Sequence, residues 1–165
     1  MNKAIFLDRD GVINRKGGSY YICSREEFIF NEGVMEMLGR LADAGFLLIV
    51  ITNQGCISKG VCSDEEVRSL HLKMTDEFKE NGIDITAVYY CPHHPDNEAC
   101  SCRKPGSLLF ERAIEDFNID RKVSCMIGDS DIDIEAARGA GVRGIKVPTN
   151  CDLRAVDEIN SLLLE

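Results

Sequence analysis

The chain predicts an α/β fold, a three-layer doubly wound parallel sheet, built as one domain over residues 1–165. Three observations carry that expectation. Short β-branched or aromatic runs alternate with longer segments of helical period. Glycines stand just past the periodic runs, where helices end. At 165 residues and 44% hydrophobic content, the chain can bury one core and is short for two.

The elements follow in order. AIFL (4–7) is a buried strand ending on Asp8. Val34, Met37, Leu38 and Leu41 share a helical face, and Gly45 follows at a C-terminal capping position. LLIVIT (47–52) is the second strand. Ser63 and Glu66 have capping-box spacing for a helix whose inner face is Val67, Leu70, Met74 and Phe78, with Gly82 beyond it. ITAVYYC (85–91), VSCMIG (123–128) and the shorter GIKVP (144–148) supply three more strands. Further helices are expected over 107–117, 131–140 and 152–164, with Gly141 closing the middle one. The least regular stretches are 11–32 and 92–105, and no room remains for a large cap domain.

The net charge of −9, with no cluster of Lys and Arg, argues against nucleic acid as a partner. No apolar run approaches a membrane span, and the amino terminus has no secretory apolar core. A cytoplasmic monomer acting on a small molecule, with neither membrane nor nucleic acid as partner, is expected. The eight cysteines would suit a disulfide framework, but a reducing compartment disfavours bridges. Cys23, Cys56, Cys62, Cys125 and Cys151 are therefore assigned no chemistry.

In sheets of this kind ligands collect beyond the carboxyl ends of the strands. The residues there are Asp8, Thr52 with Asn53, Cys91 and Asp129. Asp8 and Asp10 lie two apart, so the pleat aims both carboxylates the same way, and Gly11 lets the chain turn. Thr52, Asn53 and Gln54 offer a hydroxyl, amides and backbone N–H groups to phosphate oxygens. Lys104 is a fixed cation ahead of Pro105. Asp129 and Asp133, four apart, share the face of an incoming helix. Three converging carboxylates, Asp8, Asp10 and Asp129, repel one another unless a hard cation sits among them, and such oxygen ligands suit Mg²⁺.

DRDG (8–11), ITNQ (51–54), RKP (103–105) and GDSDID (128–133) occur in the order of the four motifs of the haloacid dehalogenase (HAD) superfamily, and the chain resembles its phosphatases over nearly its whole length. The resemblance implies a HAD-like Rossmannoid fold with Asp8 as nucleophile and Asp10 as general acid and base. It implies Mg²⁺ held by Asp8, the backbone carbonyl of Asp10, and Asp129. Thr52 and Lys104 would hold phosphoryl oxygens, and Asp133 would orient the site from behind.

Cys91-x-His93 and Cys100-x-Cys102 supply one nitrogen and three sulfurs, a closed set suited to structural Zn²⁺. Cys-x-x-Cys is absent, which favours zinc over thiol redox chemistry. His94 is the alternative fourth ligand, and otherwise solvated. The metal would tie the two ends of an irregular loop together immediately before Arg103 and Lys104.

TNQGCISKG (52–60), YYCPHHP (89–95) and GSYYICSREEFIFNEGV (18–34) resemble the phosphatases of D-glycero-D-manno-heptose 1,7-bisphosphate. That implies loss of the 7-phosphate, with Arg103 and Lys59 meeting the phosphate that is kept; solvated surface charge is the alternative for Lys59. RKPGSLLFER (103–112) is closer in length to the histidinol-phosphate phosphatases, and Ser130 stands where the heptose family usually has lysine. Histidinol phosphate is the alternative substrate. A catalytically idle, zinc-stabilised binding protein is the alternative of another class.

Overall fold

The computed structural model describes residues 1–18 and 21–164; Ser19 and Tyr20 of the 18–34 segment, and Glu165, lie outside them. Five strands, β1 (Ala4–Leu7), β2 (Leu47–Asn53), β3 (Ala87–Cys91), β4 (Cys125–Gly128) and β5 (Arg143–Lys146), form one parallel sheet in the order β3-β2-β1-β4-β5. The connections include the helices α1 (Val34–Asp43), α2 (Asp64–Glu80), α3 (Leu108–Phe117) and α4 (Asp131–Gly139).

The pleat divides the apolar residues between two layers. Ile5, Leu7, Leu48, Val50 and Ile127 pack with Met37 and Leu41 of α1 and Met74 and Phe78 of α2. Phe6, Ile49, Ile51 and Met126 face the other way, onto Phe110 and Ala113 of α3 and Ala136 and Ala137 of α4. Removing a side chain such as Phe6 from water contributes about 1.5–3 kcal/mol, and its ring meets that of Phe110 at 5.0 Å between centroids. Ser63 caps α2 through the full capping box with Glu66. Gly45, Gly82 and Gly141 take the left-handed conformation one residue beyond the C-caps of their helices.

Several expected boundaries move. Val123 belongs to a 3₁₀ turn (Arg121–Val123) capped by Asp120, so β4 starts two residues later than the apolar run. β3 likewise begins only at Ala87. The expected helix over 152–164 is instead a 3₁₀ turn (Leu153–Ala155) and a five-residue α5 (Asp157–Ser161). Asp152 accepts from the backbone and guanidinium of Arg154, tightening the first turn, and Val156 is extended (φ −92°, ψ 108°), which breaks the helix. Among the described residues no helix is long and apolar enough to cross a membrane.

The expectation of no disulfide is overturned. Cys23 and Cys62 are bridged with Cα atoms 5.7 Å apart. The loop after β1 folds back over the segment leading into α2, so Tyr21 and Cys23 pack against Cys56, Cys62 and Val67. That contact joins positions 39 residues apart, and no spacing within either loop signals it.

Candidate active site

The chain passes from one side of β1 to the other after β3, so the sheet's switch point lies at the carboxyl ends of β1 and β4. A cleft of about 250 Å³ opens there. Asp8 and Asp10 follow β1, Thr52 and Asn53 come from the tip of β2, and Asp129 and Asp133 from the turn between β4 and α4; all six line it. Arg103 and Lys104 form another wall. Two glycines make this approach possible. A Cβ at Gly11 (φ +88°) would collide with the Asp129 carboxylate, and one at Gly128 with Asp133.

Lys104 is the centre of charge. Its side chain is 2% exposed, and Nζ donates to Asp133 Oδ1 at 2.6 Å, Ile51 O at 2.8 Å and Asp8 Oδ1 at 3.0 Å. Burial works against its charge, but Asp8 and Asp133 outweigh that and raise its pKa. Asn53 clasps the Lys104 backbone from both sides: its Oδ1 accepts from the N–H at 3.0 Å and its Nδ2 donates to the carbonyl at 3.2 Å. The Asn53 amide is thus occupied in aiming the lysine.

Burial pushes the Asp8 carboxyl up to about 6 against the pull of Lys104, with Asp133 and Asp10 adding to the rise. Burial and the Asp8 charge also raise Asp129, although Thr149 donates to its Oδ2 at 2.8 Å and Lys16 counters. Asp8, Asp129 and Asp133 each bring one oxygen within 4.8 Å of the others. Asp8 raised by burial and by the Asp133 and Asp10 charges, and Asp129 raised by burial and by Asp8, in a pocket of oxygen donors, are the chemistry that a hard divalent cation relieves, so these residues fit Mg²⁺.

Asp10 is held differently. Arg9, fully buried, donates to its Oδ1 from Nη2 at 2.8 Å and Nε at 3.1 Å; Asn14 Nδ2 donates to the same oxygen at 2.9 Å, and Gln54 Nε2 to Oδ2 at 3.1 Å. Burial alone would raise this carboxyl, but Arg9 and the amides outweigh it and hold it below the usual range. Gln54, expected to meet phosphate, instead braces Asp10 and Thr52 and does not line the cleft. Arg9 Nη1 lies 3.1 Å from Nε2 of His71 on α2, whose pKa falls to about 3 through burial and then the Arg9 charge.

The His71 shift has a sign. The unfolded imidazole takes a proton near 6.5 and the folded one only near 3, so folding stability is full above the first value and is lost as pH falls toward the second. Urea unfolding should show wild type losing stability more steeply than His71→Gln between pH 6.5 and 4. Parallel slopes would mean that His71 titrates normally.

Cys91, His93, Cys100 and Cys102 gather as expected. Cys91 Sγ lies 3.1 Å from Cys102 Sγ, 3.6 Å from Cys100 Sγ and 3.5 Å from His93 Nδ1, and that nitrogen is 3.2 Å from Cys102 Sγ. Tetrahedral Zn²⁺ with these donors separates its ligand atoms by roughly 3.4–3.8 Å, so a small expansion admits the ion. Cys100 is lowered to about 7: burial raises it, but the Arg103 backbone N–H and the neighbouring thiols favour its thiolate. Arg103 Nη1 donates to His93 O at 3.0 Å, tying the loop to the cleft. His94 is not simply solvated; 15% of its side chain is exposed and it lines the cleft. Lys59 pairs with Asp96 at 2.9 Å and lies outside the lining.

Sequence reasoning missed Arg9, His71, Asn14, Lys16 and Tyr21. His71 had a signal: it completes the 67, 70, 71, 74, 78 stripe that buries α2. Asn14 reaches Asp10 within its own loop, and Arg9, Lys16 and Tyr21 depend on contacts with distant segments.

The HAD-hydrolase-like family model matches residues 101–159. A Vibrio cholerae protein named D-glycero-beta-D-manno-heptose-1,7-bisphosphate 7-phosphatase is 43% identical over 150 residues, 87% of this chain and 79% of its own. The protein of that name from Haemophilus ducreyi is 41% identical over 147 residues, 86% of this chain and 80% of its own. The crystal structure of the D,D-heptose 1,7-bisphosphate phosphatase from B. bronchiseptica, complexed with magnesium and phosphate, superposes with a TM-score of 0.84 at 29% identity, covering 94% of this chain and 86% of that one.

Proposed function

The chain belongs to the D-glycero-D-manno-heptose-1,7-bisphosphate 7-phosphatase family of HAD-like phosphatases, and from that premise we propose that it removes the 7-phosphate of that bisphosphate through an aspartyl-phosphate on Asp8. The observation that carries the reading is Lys104, buried between Asp8 and Asp133 with Asp129 beside them at the switch point of the sheet. A cation fixed against a carboxylate in an anionic cleft has a direct use in receiving a phosphoryl group.

Asp8 attacks phosphorus in line; the bond from phosphorus to the C7 oxygen breaks, and that oxygen takes a proton from Asp10. Water then attacks the aspartyl-phosphate, gives its proton to Asp10 and restores the Asp8 carboxylate with release of phosphate. Lys104, Thr52 and the backbone N–H groups at the tip of β2 receive the phosphoryl oxygens. Asp133 holds Lys104 on line from behind. Mg²⁺, when bound by Asp8, Asp129 and the Asp10 carbonyl, would offset charge on the nucleophile and the phosphoryl oxygens. Zn²⁺ on Cys91, His93, Cys100 and Cys102 would fix the loop that carries Arg103. Arg103, which lines the cleft beside His94, is suited to the phosphate that is kept. The Lys59–Asp96 pair supports the surface reading for Lys59.

The test is kcat/KM for heptose 1,7-bisphosphate against histidinol phosphate with Mg²⁺ present. A preference of about 10⁴-fold or more for the bisphosphate is expected, the scale on which a site built for a polar group rejects a ligand lacking it. A ratio near one would leave the chemistry standing and remove the substrate; a reversed ratio would name histidinol phosphate; and absence of phosphate release from any ester would favour the idle binding protein.

A further inference from the structure

Arg9 is among the largest of the fully buried side chains, and no part of the phosphoryl chemistry above needs it. Its guanidinium makes three directed contacts: Nη2 and Nε to Asp10 Oδ1, and Nη1 to His71 Nε2 at 3.1 Å. A guanidinium can only donate, so the last contact requires a lone pair on Nε2 and therefore a neutral ring protonated on Nδ1. Burial of His71, 6% exposed and edge-on to Tyr90 at 5.4 Å, keeps it in that form. The Phe28 ring lies 5.9 Å from the guanidinium carbon.

The consequence falls on Asp10. Its Oδ1 accepts from Arg9 twice and from Asn14 once, which saturates that oxygen and leaves proton transfer to Oδ2, where Gln54 is the only other donor among the described residues. Arg9 therefore pins Oδ1, and with Gln54 Nε2 on Oδ2 the two contacts fix how the carboxylate is turned. Two of the guanidinium's three directed N–H contacts are spent on a residue next to it in sequence, and only the third ties it to another element, α2.

We propose that His71 is a positioning residue for Asp10: by accepting from Arg9 Nη1 it locks the guanidinium against α2, and so aims Asp10 Oδ2 at the oxygen that leaves phosphorus. The inference rests on the reading of Asp10 as the acid. Without the acceptor, Arg9 would keep a buried N–H unpaired or turn toward another partner, and Asp10 would turn with it.

The readout is dependence on the leaving group. A primary alkyl phosphate needs its oxygen protonated as the bond breaks, whereas p-nitrophenyl phosphate does not. kcat/KM reports the steps up to alcohol release, so later hydrolysis of the aspartyl-phosphate drops out. The ratio of kcat/KM on heptose 1,7-bisphosphate to that on p-nitrophenyl phosphate is expected to fall about tenfold in His71→Leu. In His71→Gln, whose amide oxygen reaches the place of Nε2, it should recover to within about twofold of wild type. His71→Asn, one methylene short, takes the place of the leucine variant if that does not fold. A ratio unchanged in the variant lacking the acceptor, or one as low in His71→Gln, overturns the proposal. Asp10→Asn separates the two levels: if that variant keeps the wild-type ratio, the role of Asp10 itself fails; if it collapses the ratio while removal of the His71 acceptor does not, only the role of His71 fails.

Discussion

Asp8→Asn is expected to abolish Mg²⁺-dependent phosphate release, by about 10⁴-fold or more, while the protein remains folded and no less stable. The size follows from chemistry. An amide oxygen is a poor nucleophile toward an anionic phosphate ester, and no other carboxylate of the cleft is free to replace it. Asp133 is committed to Lys104 at 2.6 Å, Asp10 is turned into the Arg9, Asn14 and Gln54 network, and Asp129 is held by Thr149 at 2.8 Å. The fold survives because the substituted amide keeps an oxygen at Oδ1 for the Lys104 ammonium and the Arg9 backbone N–H, 3.0 and 2.9 Å away in the native chain.

Stability should hold or rise at neutral pH, and the sign can be worked out. Asp8 titrates near 3.8 unfolded and near 6 folded, with burial as the first cause. Between those values the folded state binds the extra proton, so its stabilising effect is present at low pH and is lost as pH rises through 6. At pH 7 the ionised group is a cost of the native state, and the uncharged amide removes it. Phosphate release with mass spectrometry of acid-quenched protein measures the first effect, and thermal unfolding without Mg²⁺ the second. Retained turnover would remove Asp8 as the nucleophile; a collapse of the fold would mean that the charge is structural.

This site is more legible in the sequence than the machinery behind it. Asp8, Thr52, Asn53 and Asp129 could be placed because a buried parallel strand is a continuous apolar run, and the residue that ends the run must sit at the sheet's edge. The Ser63–Glu66 capping box was legible because both partners lie within one turn. Arg9 was not. Between two aspartates it reads as surface charge, and only partners from α2 and the loop after β1 make its burial possible. The Cys23–Cys62 bridge fails the same test of locality, since two irregular segments must first fold against each other. The tail after β5 misled for another reason: its apolar period is helical, but the Asp152–Arg154 pairing stabilises a tighter turn that periodicity does not register.

Cys100→Ser is the second large effect, because it takes one of the four donors from the cluster proposed to hold zinc and close the loop from Cys91 to Lys104. Purified wild-type chain is expected to carry about one zinc per chain, as four protein ligands make one closed tetrahedral site, and the serine variant to lose the metal and most activity. Cys100 is the exposed member of the cluster and the thiol with the lowest pKa resolved in it, about 7. A hydroxyl there neither ionises at neutral pH nor binds a soft site well. The loss should not fall evenly on the cleft. Lys104 keeps the Asn53 clasp and its two carboxylate partners, all outside the loop. Arg103 depends on the His93 carbonyl, and His94 on the same stretch of backbone, so both lose their anchor when the metal leaves. The expected pattern is therefore a fall in kcat/KM of roughly 10–100-fold, the range found when support behind a metal site is lost, carried more by KM on the bisphosphate than by kcat on a small aryl phosphate. Elemental analysis and limited proteolysis within 92–102 report metal and loop order independently of turnover. Full activity on the bisphosphate in a zinc-free preparation would show that the clasp alone aims the cations and that the metal serves stability only.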